Sequence, residues 1–250
     1  MNQTKIEWCR NPDGSDGHTW NPVVGCLHGC PYCYARRWAE RGMGEYGEHP
    51  KGKRFEPRIL PERLTKPKSV RKPSRIFVSS MGDLFGEWVP AGWIEAVLRT
   101  VRECPQHTFI FLTKNPARYT GISFPQNAWV GVTIDDPCLN CWPVRFWDGG
   151  DPYSNDVGES DIDLSFIDAP VRFVSLEPLR QAPYTIRFHG VEWVIVGGMT
   201  GPLAKAFPTE SWHVARVVEA VTSAHLPLFV KDNCHWPERI QEWPKGGDPA

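Results

Sequence analysis

The sequence has no long hydrophobic run. Its unbroken apolar stretches are short, as at Trp193–Val196. A membrane-spanning helix needs about 20 apolar residues, so a membrane protein is not expected. The opening residues, MNQTKIEWCRNPDG, lack an apolar core. No secretory signal is therefore expected, and the expected compartment is the cytoplasm. Net charge is nearly absent: 28 Lys and Arg against 29 Asp and Glu leave −1 over 250 residues. That excludes a globally basic polyanion binder. Internal repeats and hard domain boundaries are absent too, so residues 1–250 read as a single domain. Disorder is excluded by composition, with 41% apolar and 23% charged residues. Gly (22) and Pro (24) exceed the usual share without reaching low complexity, which suggests a loop-rich globular chain.

Two things are present in quantity. The first is cysteine: eight residues, which in a reducing compartment point to metal binding or catalysis rather than disulfides. The second is local charge. Residues 51–75 carry ten Lys and Arg against two Glu, and residues 135–168 carry nine Asp and Glu against Arg145. The basic stretch belongs to an insertion at about 42–74 without clear periodicity. The acidic one belongs to a polar excursion at about 135–170.

Short β-rich runs recur along the chain. They are Arg75–Ser80, Thr108–Thr113, Trp129–Ile134, Val171–Leu176, Glu192–Val196 and Pro227–Lys231. Their apolar density suits strands buried on both faces, as in a parallel sheet. A further strand around Thr19–Val24 is weakened by Pro22. Helical spacing appears at Tyr34–Arg41, Ala91–Cys104 and Thr209–Ala224, with Pro90 suited to a helix start and Thr209 to an N-cap. Strands alternating with helices predict an α/β fold, and six or seven strands suggest a partial (β/α) barrel. Ligands of such sheets gather at the carboxyl ends of strands. The polar residues there are Ser79, Ser80 and Asp83; Thr113 and Lys114; Thr133 and Asp135; Ser175 and Glu177; Gly197 and Gly198; Lys231 and Asp232.

The sharpest chemical signal is CLHGCPYC, which places Cys26, Cys30 and Cys33 within eight residues. Gly25, Gly29 and Pro31 let such a loop wrap round one centre. Three thiolates suit an iron–sulfur cluster, which is normally held by four, so one iron would stay open to a chelating cosubstrate. Zinc is the competing reading, with His28 or His18 as fourth ligand. Three unrelated buried thiols are the plainest reading. Cys138 and Cys141 form a second CxxC, which with Cys9, Cys104 or Cys234 could complete a further metal site. Cys104, before Pro105 at a helix end, is expected in the core, as are Trp129 and Trp193.

CxxxCxxC with Tyr32 before the third cysteine resembles the signature of radical S-adenosylmethionine (SAM) enzymes. A wider set of segments is more specific: TKIEW, TWNPVVGC, CYARRWAER, FVSSMGDLF, FLTKNPARY, WVGVTI, RFVSLEPL and EWVIVGGMTGP. In that order they resemble the phage Gp37/Gp68-like family (DUF5131-type), a radical-SAM-like group, over about residues 4–232.

The resemblance implies a radical SAM-like partial barrel of about six parallel strands. It implies a [4Fe–4S] cluster on Cys26, Cys30 and Cys33, with SAM chelating the fourth iron. Reductive cleavage of SAM would give a 5′-deoxyadenosyl radical acting on a substrate, with a nucleic-acid base or nucleotide preferred. The usual Gly-Gly-Glu-type turn after the second strand is replaced here by Ser79-Ser80-Met81-Gly82-Asp83. Ser79, Ser80 and Asp83 become cofactor-binding candidates in its place, together with Tyr32, Thr133, Gly197 and Gly198. Lys114 and Glu177 are the catalytic candidates, unless they form an ion pair with each other. An electron donor such as a flavodoxin or ferredoxin would be a partner. The alternative function is a non-catalytic zinc or iron–sulfur module that binds nucleic acid or a protein. SAM binding with group transfer instead of radical cleavage is a third reading.

Overall fold

Strand-forming runs of Val, Ile, Phe and Trp line up side by side in the computed structural model, which describes residues 1–135, 144–146, 159–182 and 185–246. The central sheet has eight strands: β1 (Asn2–Gln3), β2 (His18–Trp20), β3 (Arg75–Val78), β4 (Thr108–Thr113), β5 (Ala128–Ile134), β6 (Val171–Leu176), β7 (Trp193–Val196) and β8 (Leu228–Val230). Their order across the sheet follows their order in the chain. β1 is antiparallel to β2, and every later pair is parallel. This is a mixed α/β fold with a mostly parallel sheet. A chain that always adds its next strand on the same side has no reversal point. The sheet therefore has no switch point between two halves.

The two faces differ. Helices α1 (Tyr34–Glu40), α2 (Ala91–Arg102) and α3 (Ser211–Ser223) follow β2, β3 and β7. The outer face of the sheet packs Ile76, Val78, Phe109, Phe111, Val130, Val132, Val174, Val194 and Val196 into one core with apolar residues of α2 and α3. The inner face packs Ile110, Trp129, Phe173, Trp193, Ile195 and Phe229 with Trp8 and Cys9. Both are dry, which explains why the strands read as near-continuous apolar runs. Gly131 gives the inner layer its room: a Cβ there would lie 2.3 Å from the Phe173 ring. At the far edge, residue 241 bridges to Phe229, and the Trp243 indole donates to the Trp8 carbonyl at 2.9 Å. That tail packs against the inner-face cluster.

Several expectations shift by a few residues for local reasons. Pro22 ends β2 at Trp20, and Val23–Val24 pairs separately with Arg58–Ile59. Helix α3 starts at Ser211 with Glu210 in the N-cap position, not Thr209, whose hydroxyl donates to the Leu179 carbonyl at 3.2 Å. Pro90 occupies the N-cap position of α2. The insertion at 42–74 contains the Arg58–Ile59 strand and three short 3-10 turns, Gly44–Glu48, Pro61–Arg63 and Lys66–Ser69. The excursion at 135–170 contributes Val144–Phe146 and Glu159–Asp163 to a small sheet completed by Thr185–His189. Thr185–His189 was not expected as a strand; its exposed alternate residues gave no buried run. Trp129 and Trp193 are fully buried, and Cys104 nearly so, as expected.

Candidate functional site

At the carboxyl ends of β3 to β8 the inner face stops being apolar. Phe77 and Leu112 give way to Ser79, Thr133, Ser175, Glu177 and Lys231 around a cavity of about 300 Å³, which Phe55 of the insertion also lines. That lies at the low end of the range for small-molecule sites. The loop after β2 closes the cavity from above and brings in Cys26, His28, Cys30, Tyr32 and Cys33. Of the twelve site residues expected from sequence, eleven line this one cavity. The exception, Gly197, stands behind it: a Cβ there would lie 2.7 Å from the Glu177 carboxyl carbon. Its neighbour Gly198 lines the wall and is fixed by reciprocal hydrogen bonds with Asn233, each 3.0 Å.

The cysteine loop is held by its surroundings. Gly25 sits at φ +85° with the Glu56 carbonyl 2.3 Å from where a Cβ would be, so only glycine fits this crossing. The Gly25 amide donates to the Met81 carbonyl at 2.9 Å, and Arg36 Nη2 donates to the Cys26 carbonyl at 2.9 Å. Cys33 is the N-cap of α1 and accepts the Arg36 amide on Sγ at 3.3 Å. All three thiols are free and half-buried. Burial pushes the Cys26 thiol up to about 12, against the His28 amide that favours its thiolate. It also raises Cys30, with the Lys114 ammonium opposing it. Among the described residues, no three His, Cys, Asp or Glu side chains converge on a single ion position.

Asp83 is the hub beneath the loop. It is 5% exposed. Its carboxylate accepts from the Thr113 hydroxyl at 2.8 and 2.9 Å, the Phe85 amide at 2.9 Å and the Lys114 amide at 3.1 Å. It also meets His28 Nε2 at 2.8 Å, and the His28 ring packs edge-on to Trp88. Asp83 therefore joins the cysteine loop to the ends of β3 and β4.

Two ion pairs face the cavity, and they are not the pair the sequence suggested. Lys114 Nζ lies 2.5 Å from Asp135 Oδ2 and 2.6 Å from the Tyr32 hydroxyl, which itself donates to Asp135. Lys231 pairs with Glu177 on the opposite wall. A Lys114–Glu177 pair is thus replaced by two separate clusters. The register explains it: β5 lies between β4 and β6 and brings Asp135 next to Lys114.

From sequence, Ser175 and Lys231 stand only among the strand-end residues, and His28 is one of two possible fourth ligands in the competing zinc reading. The structure gives Ser175 more weight. Ser79 and Ser175 are buried, at 3% and 1% exposure, and neither hydroxyl has a partner. Buried hydroxyls are normally satisfied. Two orphans lining one cavity mark places where a ligand would bond. Ser79 also holds φ +55°, a left-handed conformation that costs a non-glycine residue about 1 kcal/mol. Such strain concentrates at binding sites.

The remaining cysteines are scattered. Cys9 Sγ donates to the His18 and Arg75 carbonyls at 3.6 Å, and burial pushes its thiol up to about 12. Cys234 Sγ donates to the Val196 carbonyl at 3.6 Å. Cys138 and Cys141 lie outside the described residues. The basic stretch is not one surface. Arg63 pairs with Glu45, Lys68 with Glu103 at 2.7 Å, and Arg75 is buried over Trp129. No helix among the described residues is long and apolar enough to cross a membrane.

Comparison with known proteins adds one finding. No curated protein and no solved structure matches the chain. A family model described as a protein of unknown function (DUF5131) matches residues 3–246. With nearly its whole length matched, and with the cysteine loop, Asp83 and both ion pairs inside the matched region, the chain belongs to the DUF5131 family.

Proposed function

We propose that this protein is a radical SAM-type iron–sulfur enzyme on a partial (β/α) barrel, with Cys26, Cys30 and Cys33 holding a [4Fe–4S] cluster. The observation that carries the reading is the shared cavity. Three free thiols on one loop face two unpartnered buried hydroxyls and two ion pairs, at the carboxyl ends of a sheet whose order matches its chain order. That order is the one a (β/α) barrel uses, and that end is where barrel enzymes place their sites.

The residues fit the group. Cys26, Cys30 and Cys33 line the cavity as free thiols on one short loop, and thiolates are the donors an iron–sulfur cluster takes. When bound, the reduced cluster and SAM supply a 5′-deoxyadenosyl radical that removes a hydrogen atom from the substrate.

The chain's own residues bind, orient and exclude water. Ser79 and Ser175 offer hydroxyls to the polar groups of SAM. Thr133 is the register partner of Ser175 and extends that row. The Lys114 ammonium offers charge to a carboxylate, held in place by Tyr32 and Asp135. Glu177 offers charge to an amine or to ribose hydroxyls, with Gly197 leaving room for its side chain. Asp83 supports the loop through His28.

The test is anaerobic reconstitution with iron and sulfide, then EPR of the reduced protein with and without SAM, and product analysis on the same sample. A cluster signal that changes on adding SAM, with 5′-deoxyadenosine formed, supports the reading. Stoichiometric zinc with no EPR-active cluster overturns it. A cluster that binds SAM but yields S-adenosylhomocysteine or methylthioadenosine overturns the radical step.

A further inference from the structure

The rim of the cavity is as unusual as its interior. Among the described residues, six large hydrophobic side chains are exposed; Leu27, Tyr34, Trp38 and Met43 lie in the cysteine loop, α1 and the residues just after it, and Phe207 follows the Gly201–Lys205 turn that packs on Arg37. Single exposed apolar residues are ordinary, but a cluster at a cavity mouth marks an interaction surface.

The arrangement is directional. Tyr34 lines the cavity, and its hydroxyl donates to the Ser80 carbonyl at 2.6 Å. Trp38 lies one helical turn further on, on the same face of α1. Trp38 is 45% exposed, and its ring stands roughly perpendicular to that of Tyr46, 6.1 Å away. Together they form two aromatic steps leading out of the cavity.

Cations flank those steps. Arg37 and Arg41 are spaced one turn apart along the adjoining face of α1. Lys51 and Lys53 lie in a turn tied to the end of α1, where the Gly52 amide donates to Glu40 Oε2 at 3.1 Å. Lys205 enters from the other side. Its turn, Gly201–Lys205, packs on Arg37 so closely that a Cβ on Gly201 would lie 2.4 Å from the guanidinium. None of these five cations has a carboxylate partner among the described residues.

We infer that this rim binds single-stranded nucleic acid, with bases stacked on Tyr34 and Trp38 and phosphates on Arg37, Arg41, Lys53 and Lys205. Aromatic steps interleaved with unpaired cations are what a strand with exposed base faces requires. A duplex hides those faces and fits this surface poorly. A cavity of about 300 Å³ cannot admit a polymer, so the strand has to lie outside it. This inference rests on the reading of the cavity as the reaction site, and it names the substrate class.

The test is fluorescence anisotropy with labelled single-stranded DNA, single-stranded RNA and duplex DNA of one sequence, across a salt series. The full-length protein is used with its cluster reconstituted, but without SAM or reductant. Binding and SAM cleavage can therefore fail separately. Binding of either single strand more tightly than duplex is the expected result. Trp38→Ala should weaken it about tenfold with the salt slope unchanged. Lys53→Glu and Lys205→Glu, at exposed positions that cannot disturb folding, should each lower the salt slope by about 0.7. Binding unmoved by all three variants overturns the inference. So does preference for duplex, and so does binding to anionic vesicles with none to any oligonucleotide.

Discussion

Replacing Asp83 with alanine should damage both stability and cofactor loading, by amounts that follow from its partners. The carboxylate serves four donors: the Thr113 hydroxyl, the Phe85 and Lys114 amides, and His28. Thr113 and Phe85 are buried, so water cannot replace the lost acceptor. Lys114 and His28 are partly exposed and can be resolvated. Stranding a buried donor costs roughly 1–3 kcal/mol, so two cost about 2–6 kcal/mol. That is a large share of the roughly 5–15 kcal/mol that holds a domain together. For a chain of this size it lowers the melting point by about 10 °C. Asp83→Asn keeps Oδ1 for both buried donors, Phe85 and Thr113, and takes an acceptor only from the Lys114 amide and His28, so it should cost far less, about 1 kcal/mol. Equilibrium urea unfolding of the reduced, metal-free protein measures both. A change below about 0.5 kcal/mol for Asp83→Ala, the size of a neutral surface substitution, would refute the argument that Asp83 organises the site.

Other outcomes test other links. Cys26→Ala, Cys30→Ala and Cys33→Ala should each abolish the cluster in reconstituted protein, while Cys104→Ala, deep in the outer core, should keep full iron and sulfide content; retention of a full cluster in all three would sink the ligand set. Gly197→Ala should fold normally yet displace Glu177 from Lys231. A shift of about 1 Å costs on the order of 100-fold in turnover, read as the rate of 5′-deoxyadenosine formation. His107 is fully buried, and burial lowers its pKa below 6.5 in the folded state. The unfolded chain therefore takes up that proton first. Stability should be flat above about pH 7 and fall as pH drops below 6.5, with a slope of up to about 1.36 kcal/mol per pH unit for this group. Urea midpoints for the protein and His107→Gln, whose amide can still donate to the Pro67 carbonyl, measure the part of the slope that belongs to this residue.

What the sequence determined by itself is local. Thr108–Thr113 and Val171–Leu176 were legible to the residue, because strands dry on both faces must be apolar throughout. The loop of Cys26, Cys30 and Cys33 was legible because its spacing is short-range chemistry. The list of strand ends was legible because parallel strands all present their carboxyl ends to one side. What only the tertiary structure decided is how those ends meet. Lys114 pairs with Asp135 and Glu177 with Lys231 because β5 and β8 place those partners next to them, a matter of register and order that no local pattern encodes. Thr185–His189 escaped notice because a half-exposed edge of a small sheet has no apolar run to betray it. Ser79 was legible as a binding candidate and Ser175 only as a strand-end hydroxyl; that both lack a hydrogen-bond partner is a property of everything around them. The basic stretch at 51–75 is continuous only in sequence. Folding sends Arg75 into the inner face, Lys68 to Glu103 and Lys53 to a turn tied to the end of α1, because each goes where its neighbours in space, not in sequence, lower its free energy.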